Sequence, residues 1–449
     1  MNQAQPNKNR EMLETGSFPR LLLNLCLPAV VIMLVMIVYN MTDTFFIGQS
    51  GDPVQVAAVS LCGPVFSVLS GLGTLFGNGG CTSVSLALGK EETGKIKELT
   101  SFCCYASLFA GVLFSAAVLP LAKPIALALG AGADTLGHTL SYLRILALGA
   151  PAVLFSNVFA CIVRADGAAR ESMAGNVLGT LSNIGLDALF ILVFHMGVAG
   201  AALATVLGNV ISSCYFLIYI LKKQPAFSLH PKYFTLRRDI LIPVTTLGMP
   251  VAAGTLLMSV SNMAANRMMV SYGSVALAAQ NIAGKLSMLI TMLAMGICMG
   301  MQPALSYACG KGDKKRLLGL LRNTGIFNLV TGSVLTLLCF LFRNQVIAVF
   351  MDDARVISYS RIFVYASLSA GPFYGFYQLC QTFLQSTGKA TYATLVALLD
   401  KGIVYLPVLL LLNHFYGMYG IAFTNVVTLL LSLAAGAFFS VKWSRKMLG

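Results

Sequence analysis

The sequence predicts an all-α membrane protein of twelve transmembrane helices, built as two pseudo-symmetric six-helix lobes. Three observations lead there. Of 449 residues, 57% are hydrophobic and only 10% charged, far too apolar a composition for a soluble fold of this length. Twelve runs reach the roughly 20 apolar residues that a bilayer-spanning helix needs. The second half of the chain also repeats features of the first at a shift of about 221 residues.

The first helix is expected at 22–48. The twenty residues before it are polar, with Lys8, Arg10, Glu11, Glu14 and Arg20, and no small-residue cleavage site follows, so the segment reads as retained. The second helix, 56–80, is closed off by Lys90, Lys95 and Lys97, and the third and fourth occupy 98–120 and 136–158. Arg164 and Arg170 precede the fifth at 172–194, and the sixth follows at 198–221. From Lys222 to Arg238 the chain is basic and holds Pro225 and Pro231, which marks a link between lobes. The seventh and eighth helices are expected at 243–269 and 276–300. Lys311, Lys314, Lys315 and Arg316 separate them from the ninth at 318–342. The tenth, 358–384, is interrupted at Gly371-Pro372; the eleventh, 391–413, follows Lys389; the twelfth, 417–441, ends before Lys442, Arg445 and Lys446.

Twenty-three of the thirty Lys and Arg, Lys401 counted among them, fall on the side of both termini. Lys123, Arg144, Arg267, Lys285, Arg343, Arg355 and Arg361 make up the other side. Positive loops stay cytoplasmic, so both termini are expected in the cytoplasm and the protein in the cell inner (cytoplasmic) membrane. The net charge of +14 then answers to anionic lipid headgroups, with no nucleic acid partner. Eleven cysteines without CxxC spacing and four scattered histidines give no metal site, and no cofactor is expected. The chain is read as a monomer whose partners are membrane lipid and small organic substrates.

The repeat is specific. Leu27-Pro28-Ala29 falls on Met249-Pro250-Val251, Leu88-Gly89-Lys90 on Cys309-Gly310-Lys311, and Arg164-Ala165-Asp166-Gly167 on Gln385-Ser386-Thr387-Gly388. The lobes are placed at 1–222 and 239–449 with the link at 223–238. Six helices each make the repeats parallel, a design of transporters that hold substrate between halves and rock one against the other.

Asp43 and Asp187 lie inside predicted spans, where a carboxylate costs about 2.5 to 3.5 kcal/mol on the lenient scale and marks an ion or substrate path. At 1.5 Å per residue they lie roughly 7 and 10 Å below the outer ends of their helices. Tyr39 and Asn183 are one turn away on the same faces, Thr205 is at the same depth and Tyr142 slightly shallower. Two acids in a low-dielectric cleft take up protons more readily, through desolvation and mutual repulsion, and Asn, Thr and Tyr bond either charge state. The alternative is a polar knot that only locks helices together. Weaker candidates, for a substrate cavity, are Met258, Asn262, Lys285, Met288, Met292, Phe373, Tyr377 and Asp400. Among them the methionines are adaptable and the aromatics can stack on cations. Lys285 and Asp400 are also weighed as an ion pair.

These residues resemble the multidrug and toxic compound extrusion (MATE) family across essentially the whole chain. The resemblance rests on Asp43-Thr44 with Gly48, Arg164-Ala165-Asp166-Gly167, Asn183 to Asp187, Gly200-Ala201-Ala202-Leu203-Ala204-Thr205 and the duplication. It implies a V-shaped pair of lobes that exports amphipathic, cationic compounds against an inward flow of protons or sodium. It also implies that Asp43, Asp187, Asn183, Thr205, Tyr39 and Tyr142 form the first-lobe cation site. The acids that some members carry in the second lobe are missing around Met258 and from Gln378 to Gln385, which favours proton coupling at the first lobe, with sodium at the same acids as the alternative. A lipid-linked precursor flippase of the same superfamily is the rival, kept open by Lys285, Arg144, Arg267 and Lys401. No HExxH motif, nucleophilic serine with a histidine partner, or Cys/His cluster suggests an enzyme.

Overall fold

The computed structural model describes residues 8–49, 52–223, 226–343 and 354–448, and every regular element in them is helical. A few side chains within these ranges, that of Asp43 among them, lie outside the described set. The spans are α1 (18–49), α2 (53–89), α3 (Thr93–Ala128), α4 (Ala133–Ala165), α5 (Ala169–Val193), α6 (Gly197–Lys223), α7 (Arg238–Val270), α8 (Ser274–Lys311), α9 (Lys314–Leu341), α10 (354–386), α11 (Ala390–Tyr416) and α12 (Met418–Leu448). Among the described residues ten helices are long and apolar enough to cross a membrane, or eleven with the two parts of α2 taken as one. The remaining span, α10, is divided at Ala370 into two sixteen-residue helices.

The breaks follow from proline. Pro64 and Pro372 each stand in the first turn of a new helix segment, where a missing N–H costs nothing but the preceding helix cannot continue through the ring. In α2 the result is a 40° bend at Cys62. In α1 a π turn, Leu22–Cys26, ends just ahead of Pro28, where the ring must be kept clear of a carbonyl one turn back. Two more π turns follow Asp187 (Ala188–Val193) and contain Asp400 (Leu399–Ile403).

The two lobes meet backbone to backbone at the end that carries the basic loops. A Cβ at Gly79 of α2 would strike the Val244 carbonyl of α7, and one at Gly300 of α8 would strike Cys26 of α1. Gly79 and Gly300 are 221 residues apart, so the repeat is visible in the packing. At the crossing of α2 and α8, Gly89 lies against Gly310. Beside this crossing Gln302 donates to Thr82 Oγ1 at 2.9 Å and to Gln385 Oε1 at 3.2 Å, and Gln385 donates to the Leu247 carbonyl. Four helices from both lobes are thereby joined through a buried, hydrogen-bonded seal.

An amphipathic helix, Lys8–Thr15, lies across the same end and touches both lobes. Arg10 Nε is 3.1 Å from Asp166 Oδ1, in the turn after α4. Glu14 pairs with Lys311 at the end of α8, and Arg316 of α9 donates to the Leu13 and Gly16 carbonyls. Leu13 is fully buried between them. Lys311 holds the Glu14 carboxyl below its ordinary range. Its stabilising contribution is therefore complete above the unfolded carboxylate value and is lost only as pH falls through the depressed one. Both side chains are some 40% exposed, so this pair contributes little. Asp166 is fully buried and matters more. Asp166→Asn is expected to cost about 1 to 3 kcal/mol and to speed tryptic cleavage at Arg10; unchanged cleavage would remove Asp166 as the anchor.

Candidate functional site

The site is assembled in the first lobe from α1, α5 and α6. Asp187 ends the regular part of α5, is fully buried, and sits one turn beyond Asn183 on the same face. With the Asn183 amide oriented to satisfy its neighbours, its nitrogen donates to Asp187 Oδ2 at 3.2 Å and its oxygen accepts from the Thr205 backbone N–H at 3.0 Å. The Thr205 hydroxyl lies 3.3 Å from the Tyr39 hydroxyl of α1. A chain of polar contacts thus runs carboxylate, amide, α6 backbone and hydroxyl, phenol, across three helices. Tyr39, Asn183 and Thr205 line an open cavity of about 170 Å³, whose other walls come from α2 and α4.

Of the six residues expected here, the structure brings together Tyr39, Asn183, Asp187 and Thr205. Tyr142 packs with Leu143, Val198 and Ala202 and is outside the cavity lining. It lies on the same face of α4 as the lining residue Val153 but eleven residues, roughly 16 Å, nearer the outer end. Asp43 is carried on α1 one turn beyond Tyr39; its side chain is outside the described residues. The sequence reading missed Asn157, Asn176 and Asn209, which also line the cavity. Asn176 could have been found from Asp187, Asn183, Thr180 and Asn176, a polar stripe spaced along one face of α5.

The second-lobe candidates do not form one cluster. Met258, Asn262 and Phe373 are exposed, Met288 and Met292 half-buried, and Tyr377 buried. Asp400 is buried and pairs with the adjacent Lys401, Nζ to Oδ2 2.6 Å, a partner that the sequence reading did not weigh beside Lys285. Lys401 also leaves the loop group to which its charge assigned it. It stands in the π turn in the middle of α11, and Tyr374 and Tyr377 flank the pair. On an ordinary helix neighbouring side chains point apart; the wider turn lets these two meet.

A small cavity lined by neutral oxygens, with the buried Asp187 carboxylate behind its Asn183 wall, has the chemistry of a site for a proton or a small hard cation. At about 170 Å³ it takes a handful of waters at ~30 Å³ each, and is smaller than the ~300 Å³ at which pockets for drug-sized molecules begin. The lining contains no Lys or Arg, which disfavours an anionic headgroup there.

The MatE family model matches the chain twice, at residues 28–189 and 250–411. The multidrug export protein MepA of Staphylococcus saprophyticus is 31% identical over 414 residues, covering 92% of this chain and 91% of that protein. Among solved structures, a MATE protein in the straight conformation superposes with a TM-score of 0.91 at 21% identity, covering 99% of each chain. A multidrug resistance MATE transporter of the MOP superfamily, in an outward-facing conformation, gives a TM-score of 0.90 at 22% identity, again over 99% of each chain.

Proposed function

Because this chain belongs to the MatE family, whose members are membrane transporters and not enzymes, we propose that it expels amphipathic organic cations across the cytoplasmic membrane in exchange for protons, by alternating access. Drug efflux is the activity of the relatives by name; the exchange and its ion are the present reading. The observation that carries it is the buried Asp187 carboxylate, bonded to Asn183 and opening through Tyr39 and Thr205 onto a cavity of ionic size.

In this reading Asp187 takes the proton. While ionised it holds the Asn183 N–H; once protonated it is a weaker acceptor, and the Asn183 to Thr205 to Tyr39 chain can loosen. That chain ends on α1, which carries a π turn and packs against α8 through Gly296 and Gly300. A change of charge in one lobe therefore reaches the contact between lobes. Asp43, on the same helix as Tyr39, is proposed as the second acid. The substrate would occupy the space between lobes, where Met258, Asn262, Lys285, Met288, Met292 and Phe373 are its candidate contacts. The seal at the basic end, cytoplasmic by the charge rule, supports an outward-facing state.

Efflux of a fluorescent organic cation from proteoliposomes decides between the ions. An imposed pH gradient without sodium is expected to drive export, and a sodium gradient at equal pH to leave it at the level of empty vesicles. Export driven by sodium alone would transfer the role of Asp187 to that ion; export driven by neither would defeat the exchange.

A further inference from the structure

Below the Asp187 constellation the cavity is lined by asparagines from three helices, Asn209 of α6 one turn past Thr205 and, deeper, Asn157 of α4 and Asn176 of α5, which make its floor. Each donates its amide nitrogen to the carbonyl four residues earlier, Asn157 to Val153 at 2.9 Å, Asn176 to Ser172 at 2.8 Å and Asn209 to Thr205 at 2.8 Å. Tying the nitrogen to the helix turns the amide oxygen away from it. None of the three oxygens accepts a hydrogen bond among the described residues. The Ser212 hydroxyl, also in the lining, donates to the Gly175 carbonyl at 3.0 Å and keeps its lone pairs for the cavity. The floor is thus rich in fixed acceptors, which is what a hard cation wants from neutral ligands.

The floor is not the Asp187 site under another name. Asn176 is eleven residues before Asp187 on α5, roughly 16 Å along the axis, so no ion held at the Asp187 carboxylate reaches its oxygen; Asn209, one turn past Thr205, stands between the two levels. Below the floor stands a buried positive charge. Cys161 is one turn past Asn157, and Arg164 is buried with its guanidinium 3.1 Å from the Cys161 sulfur, its only hydrogen-bond partner among the described residues. A guanidinium set against a thiol instead of a carboxylate keeps its positive field, and a cation arriving from above is stopped there.

We propose that the Asn157, Asn176 and Asn209 floor is a second cation position, which takes a partly hydrated monovalent hard cation, hydronium or sodium, after it leaves Asp187. The proposal rests on Asp187 being the coupling group. Held here, the ion waits above Arg164 until the lobes move, so that it cannot pass uncoupled.

The test uses full-length protein in proteoliposomes with Asn176→Leu and Asn209→Leu, which remove an oxygen at nearly constant volume, and Asn176→Asp, which adds charge. Two arms measure the half-saturating driving cation, one with protons and one with sodium at fixed pH, alongside the KM for a fluorescent organic cation. In the leucine variants the half-saturating concentration of one cation is expected to rise about tenfold or more, the scale of one polar contact to a charge, while the substrate KM holds. The arm that moves names the cation. Asn176→Asp is expected to lower the same value. No change in either arm for the leucine variants or for Asn176→Asp overturns the floor as a cation position, and a rise in substrate KM alone makes it a substrate contact instead. Asp187→Asn run in parallel separates the two readings: full coupled transport by that variant overturns the coupling site itself.

Discussion

Asp187→Asn is expected to reduce export to the level of empty vesicles while the protein still inserts and elutes as the wild type does. The change keeps the size of the side chain but leaves nothing to protonate. Stability is expected to hold or rise, because a charge without solvent exposure is expensive to keep in the membrane and its neutral isostere is not. Lost transport with intact thermal unfolding therefore separates a coupling role from a structural one. If Asp187 were only part of a polar knot, the neutral variant would still export, since Asn183 could keep a hydrogen bond to an amide oxygen at the same place. Measured transport above a few per cent of wild type would point to that knot.

Gly310→Val is expected to have an effect of similar size at the opposite end of the cycle. A Cβ at Gly310 overlaps the Leu86 carbonyl, and one at Gly89 overlaps the Tyr307 carbonyl. Backbone cannot move aside as a flexible side chain can, so α2 and α8 must separate. Overpacking of this kind costs about 1 to 3 kcal/mol or more, all of it charged to the sealed state. The seal should open and labelling of a cysteine placed at Thr82 from the basic end should rise, with export falling at least tenfold on the same free-energy scale. Gly284→Ala in the same helix, where nothing lies within 4 Å, is the control and should transport normally. Equal labelling in Gly310→Val and wild type would show that the crossing is not part of the gate.

Much of this molecule is legible in the sequence because apolar runs, prolines and a duplication are local or periodic signals. All twelve spans were readable, though most helices extend several residues past the runs that announced them, as α8 does from 276–300 to Ser274–Lys311. Hydropathy marks the part that crosses lipid and is silent on where a helix continues beyond it. The Asp187, Asn183, Thr205 and Tyr39 group was readable because charge in an apolar helix stands out and one-turn spacing fixes a face. Tyr142 shows the limit: its face could be read, but the part of α4 that lines the cavity starts about three turns deeper, at Val153. The Asn157, Asn176 and Asn209 floor was missed because neutral amides cost little enough to pass as ordinary helix residues. Lys401 was misplaced because a charge count cannot see a π turn. Arg164, read as a loop charge, is buried, which only the packing of α2 against α4 around Cys161 reveals.

The helix Lys8–Thr15 is the first described element to leave the ribosome, yet one of the partners that hold it, Arg316, is made 300 residues after Gly16. At ~5 to 20 residues per second that partner arrives about 15 to 60 seconds later. Leu13 must wait out that interval exposed, or resting on the turn at Asp166 alone once it has emerged. The clasp across the two lobes closes only when the ninth span has begun to appear, so a chain that stops short of it cannot bury its own beginning. Truncated or stalled products would carry this helix unclasped and open to proteases, a mark of incomplete synthesis.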